Sequence, residues 1–267
     1  MPNTIIGIIN LMKIATWNVN SLNVRLPHVQ EWMEANTPDI LALQEIKQIN
    51  EAFPASEFQK LGYYSLANGQ KTYNGVAIIS KEEPKEIVLD IPNFEDAQRR
   101  VLASTIGNAR IINLYIPNGQ TVESDKYLYK LKWLEALTNF LKEELARHKQ
   151  LIVLGDFNIA PEDQDVYDPE KWGEDVLCSP KERGALKKIL NLGFVDVFRQ
   201  FKQEEKLFSW WDYRAVSFRR NAGMRIDLIL ASNSLSKKCT ASYIDREPRS
   251  WERPSDHTPV IAEFEVE

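Results

Sequence analysis

The sequence predicts a mixed α and β fold, an α+β or mixed sandwich, and three observations support this class. Strand-like runs recur along the whole chain, and many are rich in β-branched residues or alternate apolar with polar positions. Helical runs are few and separated, so strands and helices do not alternate strictly. No linker, repeat or low-complexity run interrupts the chain. We therefore expect an N-terminal extension over residues 1–11 and one domain over residues 12–267.

Nine runs have the length and composition of β-strands. The run at 151–154 is the most apolar of them and consists only of Leu, Ile and Val. The predicted strands span residues 13–17, 40–43, 76–80, 87–91, 101–106, 110–116, 151–157, 225–231 and 259–266.

Three helices are predicted from apolar periodicity and from their end signals. Leu26, Val29, Trp32 and Met33 have helical spacing, and this helix should end at the Asn-Thr-Pro of residues 36–38. A longer stripe of leucines runs from residue 128 to residue 145. Residues 179–182, Ser-Pro-Lys-Glu, form a capping-box pattern with Pro at the first helical position. That third helix should stop near Gly193.

Charge and composition exclude several classes of protein. The net charge of −5 argues against a generic basic nucleic-acid coat, although it does not exclude an enzyme that acts on DNA. No run approaches the roughly 20 apolar residues of a membrane span. Residues 1–11 lack the features of a signal peptide. Cys178 and Cys239 lie far apart, which is typical of reduced thiols in a cytoplasmic protein.

Polar residues stand at the ends of six predicted strands. Four groups follow a strand, and two groups lie at or near the start of one. Because opposite ends of antiparallel neighbours meet at one edge of a sheet, we expect a single polar cluster on the rim of an apolar sandwich. Its expected members are Asn18, Asn20, Glu45, Tyr115, Asn118, Asp156, Asn158, Asp227, Asp256 and His257.

Each of these residues alone also has an ordinary structural explanation. An Asp-x-Asn pattern after a strand, as at Asp156, is most often a turn, and a Tyr at a strand end usually packs. Asp227 is harder to explain in this way, because a buried charge needs a partner. His28 and His148 fall in helical contexts and are interpreted as surface or packing residues. The prediction therefore depends on the joint occurrence of the polar groups.

The chemistry of this residue set indicates a hard cation. Carboxylates and amides without Cys ligands suit Mg²⁺, which prefers oxygen ligands and keeps positions open for water and phosphate. The chain has no G-x-x-x-x-G-K-[ST] loop, so no nucleotide cofactor is expected. Metal-assisted attack of water on a phosphodiester is the reaction that matches best.

Several strings resemble the exonuclease III-type abasic-site endonucleases, from about residue 12 to the C-terminus. Gly-Asp-x-Asn and Ser-Asp-His mark the wider endonuclease/exonuclease/phosphatase superfamily, and the contexts of Trp17, Glu45, Tyr115 and Trp210 narrow the likeness to the DNA-repair branch. The strings are WNVN at 17–20, LQE at 43–45, GVA at 75–77, QRR at 98–100, NLYIPNG at 113–119, GDFNIAP at 155–161, FSW at 208–210, RID at 225–227 and PSDHTP at 254–259.

The resemblance implies a four-layer αββα sandwich, two packed mixed sheets flanked by helices. It also implies a Mg²⁺-dependent nuclease of base excision repair that hydrolyses the phosphodiester 5′ to abasic sites and removes 3′ blocking groups or 3′ nucleotides from duplex DNA. Three alternatives remain open: a predominantly 3′-5′ exonuclease or 3′-phosphodiesterase with weak abasic-site activity, another phosphodiesterase of the superfamily, and a non-catalytic DNA-binding module.

The resemblance further implies roles for the site residues. Glu45 would be the main metal ligand, with Asn18 and Asp256 as additional ligands, and Mn²⁺ can substitute for Mg²⁺. Asp156 would position or deprotonate the attacking water, and His257 would contact the scissile phosphate. Asn158 would orient phosphate or water, and both Asn158 and Asp156 are further candidate metal ligands. Asp227 would fix the tautomer of His257, and Tyr115 would donate to phosphate or to the leaving oxygen. Asn118 and Asn20 would be substrate contacts.

Substrate choice is expected to depend on the stretch from residue 208 to residue 225. Phe208, Trp210 and Met224 would form a small apolar pocket for an extruded deoxyribose, which costs little to flip because it has no base to unstack. The segment 163–180 is expected to form a loop near the site. Candidate DNA-backbone contacts are Lys71, Arg99, Arg100, Arg214, Arg219, Arg220 and Arg225. The expected partner is double-stranded DNA with abasic sites or damaged 3′ ends, bound by a monomer associated with the nucleoid and not with a membrane.

Overall fold

The computed structural model describes residues 10–266, and two six-stranded β-sheets form its centre. The sheets pack face to face, and helices cover the outer face of each. This arrangement is the four-layer αββα sandwich with two mixed sheets, so the predicted fold class is confirmed.

One parallel strand pair lies near the middle of the first sheet. Strands β1 and β2 run parallel and are connected by helix α1 (Leu22–Asn36), whereas the other neighbours are antiparallel. With strands numbered in chain order, the spatial order is β11 (Cys239–Ile244), β12 (Val260–Val266), β1 (Asn10–Asn18), β2 (Ile40–Gln44), β4 (Val76–Ser80) and β3 (Tyr64–Asn68).

The second sheet repeats this plan. Its strands β7 and β8 are parallel and are connected by helix α3 (Asp125–Arg147), and the remaining neighbours are antiparallel. The spatial order is β5 (Lys85–Leu89), β6 (Val101–Ile106), β7 (Ala109–Tyr115), β8 (Leu151–Asp156), β10 (Asp227–Ser232) and β9 (Phe194–Asp196).

The other helices are short, apart from α5. Helix α5 begins at the predicted capping box: the Ser179 hydroxyl accepts from the Glu182 N–H, and the Glu182 carboxylate accepts from the Ser179 N–H at 3.2 Å. It ends at Asn191, close to the predicted stop. The other helices are α2 (Ala55–Lys60), α4 (Pro169–Trp172) and α6 (Asn233–Ser236), with short 3₁₀ turns at 50–52, 163–165, 197–200, 214–216 and 247–250.

Successive side chains of a central strand point to opposite faces of its sheet, so each strand contributes to the core between the sheets and to a core under the helices. In β2, Ile40 and Ala42 face the other sheet, whereas Leu41 and Leu43 face the helices. Because both faces are buried, such a strand has a continuous apolar sequence and not an alternating one. This explains why the most apolar runs of the sequence are the central strands.

Gly155 allows the central strands of the second sheet to come together next to the site. Its φ is +146°, and a Cβ at this position would lie 1.9 Å from the Leu114 carbonyl oxygen of the neighbouring strand β7. Only glycine fits such an approach without moving the backbone. Gly155 therefore places the following residue, Asp156, directly beside Tyr115.

All nine predicted strands are present, with ends that differ by a few residues. The strands that the sequence did not predict are β3, β9 and β11, and each lies at the edge of a sheet. An edge strand is partly exposed and carries polar residues among apolar ones, so its pattern is weak.

The first strand begins two residues before the predicted start of the domain at residue 12. Residues 1–9 of the expected extension lie outside the described residues, but Asn10 and Leu11 already pair with Val266 and Glu265 of β12. The organisation as one domain stays a prediction. Over residues 10–266, no helix combines the length and the hydropathy needed to cross a membrane.

Candidate active site

Three side chains connect the two sheets at the edge where the parallel strands end. The Asn18 amide donates to Glu45 Oε1 and to Asp156 Oδ2, with both distances at 2.9 Å. Asn18 ends β1 and Glu45 follows β2 in the first sheet, whereas Asp156 ends β8 in the second. Residues that are far apart in sequence thus meet in the cluster that their strand-end positions predict.

A buried amide pair links the sheets directly beneath this edge. Gln44 donates to Asn113 Oδ1 at 2.7 Å, and Asn113 donates to the carbonyl oxygens of Leu43 at 2.9 Å and Ala77 at 2.8 Å. Both amide side chains are fully buried. Sequence reasoning did not assign a role to Asn113. The sequence does contain an indication of its importance: Asn113 is a polar residue inside an apolar strand, the same feature that pointed to Asp227.

His257 lies between two buried carboxylates. Its Nδ1 is 2.9 Å from Asp227 Oδ2, and its Nε2 is 3.7 Å from Asp156 Oδ2. Burial alone would lower the pKa of His257, but the negative charges of Asp227 and Asp156 outweigh it and raise the pKa to about 10. The Ser209 hydroxyl donates to the same Asp227 oxygen at 2.6 Å. The two carboxylates thus favour the protonated, cationic form of the imidazole.

Asp156 is held by donors on several sides. Its Oδ1 accepts from the Asn158 backbone N–H at 2.9 Å, and its Oδ2 accepts from Asn18 and, at 3.3 Å, from the Asn158 amide. Burial raises the pKa of Asp156 to about 7, an effect that the positive charge of His257 opposes. Such a carboxylate can accept a proton near neutral pH.

Tyr115 and Asn118 border the same edge. Burial raises the pKa of Tyr115 well above its ordinary range, and the charges of Glu45 and Asp156 act in the same direction. The phenol therefore keeps its proton and stays a donor. The Asn118 amide donates to Asn158 Oδ1 at 3.1 Å.

Lys130 supports these two asparagines from inside the protein. Its fully buried ammonium donates to the carbonyl oxygens of Asn118 at 3.1 Å and Asn158 at 2.6 Å, and it forms an ion pair with the equally buried Glu182. Sequence reasoning missed Lys130, because a lysine on an amphipathic helix usually faces solvent.

Two groups of side chains at this edge can hold a metal ion, one that includes Asp156 and one that includes Glu45. Among the described residues, Asp156, Asp227 and His257 form the one group of His, Cys, Asp or Glu whose ligand atoms all lie within 4.8 Å of one another. Glu45 lies on the other side of Asn18. A hard cation prefers oxygen ligands, and the first group includes the imidazole of His257, so the carboxylate of Glu45 fits such an ion better.

The predicted ligands Asn18 and Asp256 have other partners in this structure. The Asn18 oxygen accepts from the Asn20 backbone N–H at 3.0 Å. Asp256 accepts from the Asn20 amide at 2.9 Å and from the Trp210 indole N–H at 3.0 Å. Ligand roles for Asn18 and Asp256 stay predictions.

The expected apolar pocket is only partly accessible. Trp210 lies at the site, with its ring centroid 6.4 Å from that of His257. Phe208 and Met224 were expected to contact the sugar, but their side chains are 0% and 1% exposed. The surrounding chain covers both side chains completely, and Met224 pairs with Trp210. The segment 163–180 packs against Met224 through Val166.

One predicted DNA contact, Arg225, is a structural residue. Its side chain is 1% exposed and forms ion pairs with Asp165 at 2.6 Å and Asp196 at 2.8 Å. A guanidinium so enclosed cannot reach a phosphate at the surface. Arg100 is also buried and lies over the Tyr115 ring at 4.6 Å.

The other predicted basic contacts remain at the surface. Lys71 is exposed, and the Arg99 side chain is 42% exposed although it pairs with Asp90. The remaining exposed residues of this set are Arg214, Arg219 and Arg220.

The fold and the site together define a phosphodiester-cleaving enzyme of the endonuclease/exonuclease/phosphatase type. Residues 15–257 match the Endonuclease/Exonuclease/phosphatase family, and the chain belongs to that family.

Two named relatives are nucleases. The chain is 36% identical to Exodeoxyribonuclease III of Haemophilus influenzae over 95% of this chain and 100% of the relative. It is 32% identical to Exodeoxyribonuclease of Bacillus subtilis over 93% and 98%. The predicted class, a DNA repair nuclease of the exonuclease III type, is therefore confirmed.

Solved structures with high similarity have related activities. A 3′-5′ exonuclease, NExo, from Neisseria meningitidis superimposes with a TM-score of 0.94 at 49% identity, over 96% of this chain and all of that one. An AP endonuclease from Archaeoglobus fulgidus gives 0.91 at 41% identity, with the same coverage. A Neisseria 3′ phosphatase NExo bound to a product DNA hairpin gives 0.94 at 48% identity, again with the same coverage.

Proposed function

We propose that this DNA repair nuclease uses a divalent metal ion, Mg²⁺ by preference, to hydrolyse the phosphodiester 5′ to an abasic site and to remove 3′ blocking groups or 3′ nucleotides from duplex DNA. The observation that carries this function is the contact chain from Glu45 through Asn18 to Asp156, with His257 beside Asp156. It gathers two carboxylates, an amide and an imidazole at one edge of the sandwich, and these are the groups that the proposed reaction needs.

Asp156 would act as the base for the attacking water. Its pKa is raised to about 7 by burial, and a base works best when its pKa lies near the operating pH. The donors Asn18 and Asn158 leave the carboxylate little rotational freedom. Proton transfer by a positioned group of this kind contributes about 10²–10⁴-fold in rate.

His257 and Tyr115 would stabilise the phosphate as negative charge builds on it. The Nδ1–H of His257 donates to Asp227, so its Nε2–H is directed toward Asp156 and the space in front of it. Tyr115 remains a protonated donor because of its raised pKa. Donors that are already in place stabilise developing charge without a reorganisation cost. Asn118 and Asn20 would add substrate contacts.

Glu45 would be the main ligand of the metal ion, with Asn18 and Asp256 as additional ligands and Asp156 and Asn158 as further candidates. The family is metal-dependent, and the carboxylates and amides at this edge fit a hard cation. When bound, the ion would neutralise phosphate charge, and Mn²⁺ can substitute for Mg²⁺.

Metal removal tests this assignment. EDTA should abolish cleavage of a labelled duplex that carries one abasic site, because phosphate charge is then no longer neutralised. Addition of Mg²⁺ in excess of EDTA should restore it. The measurement is the appearance of the nicked strand on a denaturing gel. Cutting that continues without a metal ion would contradict the metal assignment.

Substrate preference is tested with two duplexes side by side. One carries a single abasic-site analogue, and the other is intact with a recessed 3′ end. We expect incision at the abasic site together with shortening from the 3′ end. A second candidate function, a predominantly 3′-5′ exonuclease or 3′-phosphodiesterase, is favoured by the Neisseria structures, which are named 3′-5′ exonuclease and 3′ phosphatase. Shortening of the 3′ end without incision at the abasic site would select that second function. An inositol phosphate serves as a third substrate, and cleavage of this substrate alone would contradict both functions.

The surface around the site suggests how duplex DNA binds. Lys71 and Arg99 would contact the DNA backbone. Trp210 is the accessible member of the expected sugar pocket, next to His257. We further propose that the protein acts as a monomer in the cytoplasm, associated with the nucleoid through its DNA substrate.

A further inference from the structure

Lys47 places its ammonium group beside Glu45, the proposed metal ligand. Its Nζ is 2.9 Å from Glu45 Oε2, and it also donates to Asn20 Oδ1. The other carboxylate oxygen, Glu45 Oε1, accepts from the Asn18 amide at 2.9 Å. Both oxygens of Glu45 thus have a donor, and the donor to Oε2 carries a full positive charge.

The backbone after β2 holds this ion pair in a strained conformation. Glu45 and Lys47 both have left-handed φ values, 51° and 55°, which residues with a side chain rarely adopt. Between them, Ile46 is fully buried, and its N–H donates to Gly75 O at 3.2 Å. The Lys47 N–H donates to Asn74 O at 3.0 Å. Strain of this kind persists only where the surroundings impose it, and it is common at functional sites.

The pair is sheltered, and this makes its charges interact more strongly. The side chains of Lys47 and Glu45 are 25% and 18% exposed, so the attraction is less screened than at an open surface. A divalent cation would seek the same carboxylate oxygen, and two cations within about 4 Å of each other repel strongly in such surroundings. The ammonium group and the metal ion therefore compete for Glu45.

We propose that Lys47 is a resident cation on Glu45 that a divalent ion must displace, and that Lys47 thereby sets how tightly the protein binds metal. This role rests on the proposed function, because it takes Glu45 as a metal ligand. Without the ion, the ammonium neutralises Glu45 and keeps it in place. When the ion binds, Lys47 leaves Glu45 and its contact with Asn20, which in turn donates to Asp256 at 2.9 Å.

Direct metal binding to the DNA-free protein measures this competition. Free Mn²⁺ is followed by electron paramagnetic resonance during titration of wild type and Lys47→Met. We expect Lys47→Met to bind Mn²⁺ at least about fivefold more tightly, because the competing charge is gone. Lys47→Arg keeps the charge and should not bind more tightly than wild type. Unchanged or weaker binding by Lys47→Met would overturn the role of Lys47.

A matched control exists at the opposite end of β2. Lys81 Nζ is also 2.9 Å from a carboxylate oxygen, Asp39 Oδ1, and Asp39 precedes β2 whereas Glu45 follows it. Lys81→Met removes an ion pair of the same length away from the site and should leave Mn²⁺ binding unchanged.

Amine labelling of the wild-type protein gives a second test that needs no variant. Acylation of each lysine is quantified by mass spectrometry with and without saturating Mn²⁺. The labelling rate of Lys47 should rise several-fold when the ion releases its ammonium group, whereas that of Lys81 should not change. A Lys47 rate that is insensitive to saturating Mn²⁺ would overturn the displacement.

The outcomes separate this role from the proposed function. If wild type binds no Mn²⁺, the metal assignment and the role of Lys47 fail together. If Glu45→Gln abolishes Mn²⁺ binding but neither Lys47→Met nor the labelling of Lys47 shows an effect, the role of Lys47 fails and the metal assignment stands.

Discussion

Asp156→Asn should lower the cleavage rate at least about a hundredfold while the protein still folds. The amide has the shape of the carboxylate but cannot accept a proton from water. Burial raises the pKa of Asp156 from an ordinary 3.8 to about 7, so its ionisation disfavours the folded state as pH rises through this range. A neutral residue removes this cost, but its NH₂ group replaces one oxygen that accepts from Asn18 or Asn158, so we expect at most a moderate change in melting temperature at neutral pH. Single-turnover cleavage and thermal unfolding measure the two effects.

The control for this variant is Asp39→Asn, which changes a carboxylate at the far end of β2. It should cleave like wild type. Turnover by Asp156→Asn that approaches the wild-type rate would remove Asp156 from the chemistry. A folded protein with a hundredfold loss would support its role as a base and would be hard to explain by packing alone.

His257→Gln should lower the cleavage rate by about 10²–10³-fold, the usual cost of losing one donor to a developing negative charge. Glutamine keeps a polar group but removes the cation that lies between Asp227 and Asp156. It also leaves the buried Asp227 without its ionic partner, so a moderate loss of stability is expected as well. Rates should be compared at saturating DNA, because the loss is expected in the chemical step and not in binding.

His148→Gln is the matched control, because His148 caps the end of α3, where its Nε2 lies 4.0 Å from Glu144. It should leave the rate unchanged. A His257→Gln enzyme with normal single-turnover rates would show that the imidazolium does not act on the phosphate.

Strand periodicity and the placement of polar residues at strand ends predicted most of the central sheets and most of the cluster. Central strands are buried on both faces, so their apolar runs are continuous, whereas the edge strand β3 (Tyr64–Asn68) has too mixed a pattern. Asp156 and Asp227 were predicted together because one ends a strand, the other lies near a strand start, and antiparallel neighbours bring such opposite ends to one edge. They are in fact direct neighbours across β8 and β10.

A residue whose role depends on its partner in space could not be assigned from the sequence. Arg225 is a basic residue of the type that contacts DNA, but in the structure it forms buried ion pairs with Asp165 and Asp196. Phe208 and Met224 belong to an apolar stretch, yet the fold buries them completely. Burial depends on what packs against a residue, and a local pattern does not contain that information.

The sequence by itself determined the strands, the polar residues that end them and hence the kind of chemistry, because these features depend on local periodicity and residue type. Only the tertiary structure decided the partners: the Gln44–Asn113 link between the sheets, the Lys130–Glu182 pair and the ammonium of Lys47 on Glu45. Most of these contacts join residues distant in the chain, and even the Glu45–Lys47 pair needs the left-handed backbone that its surroundings impose.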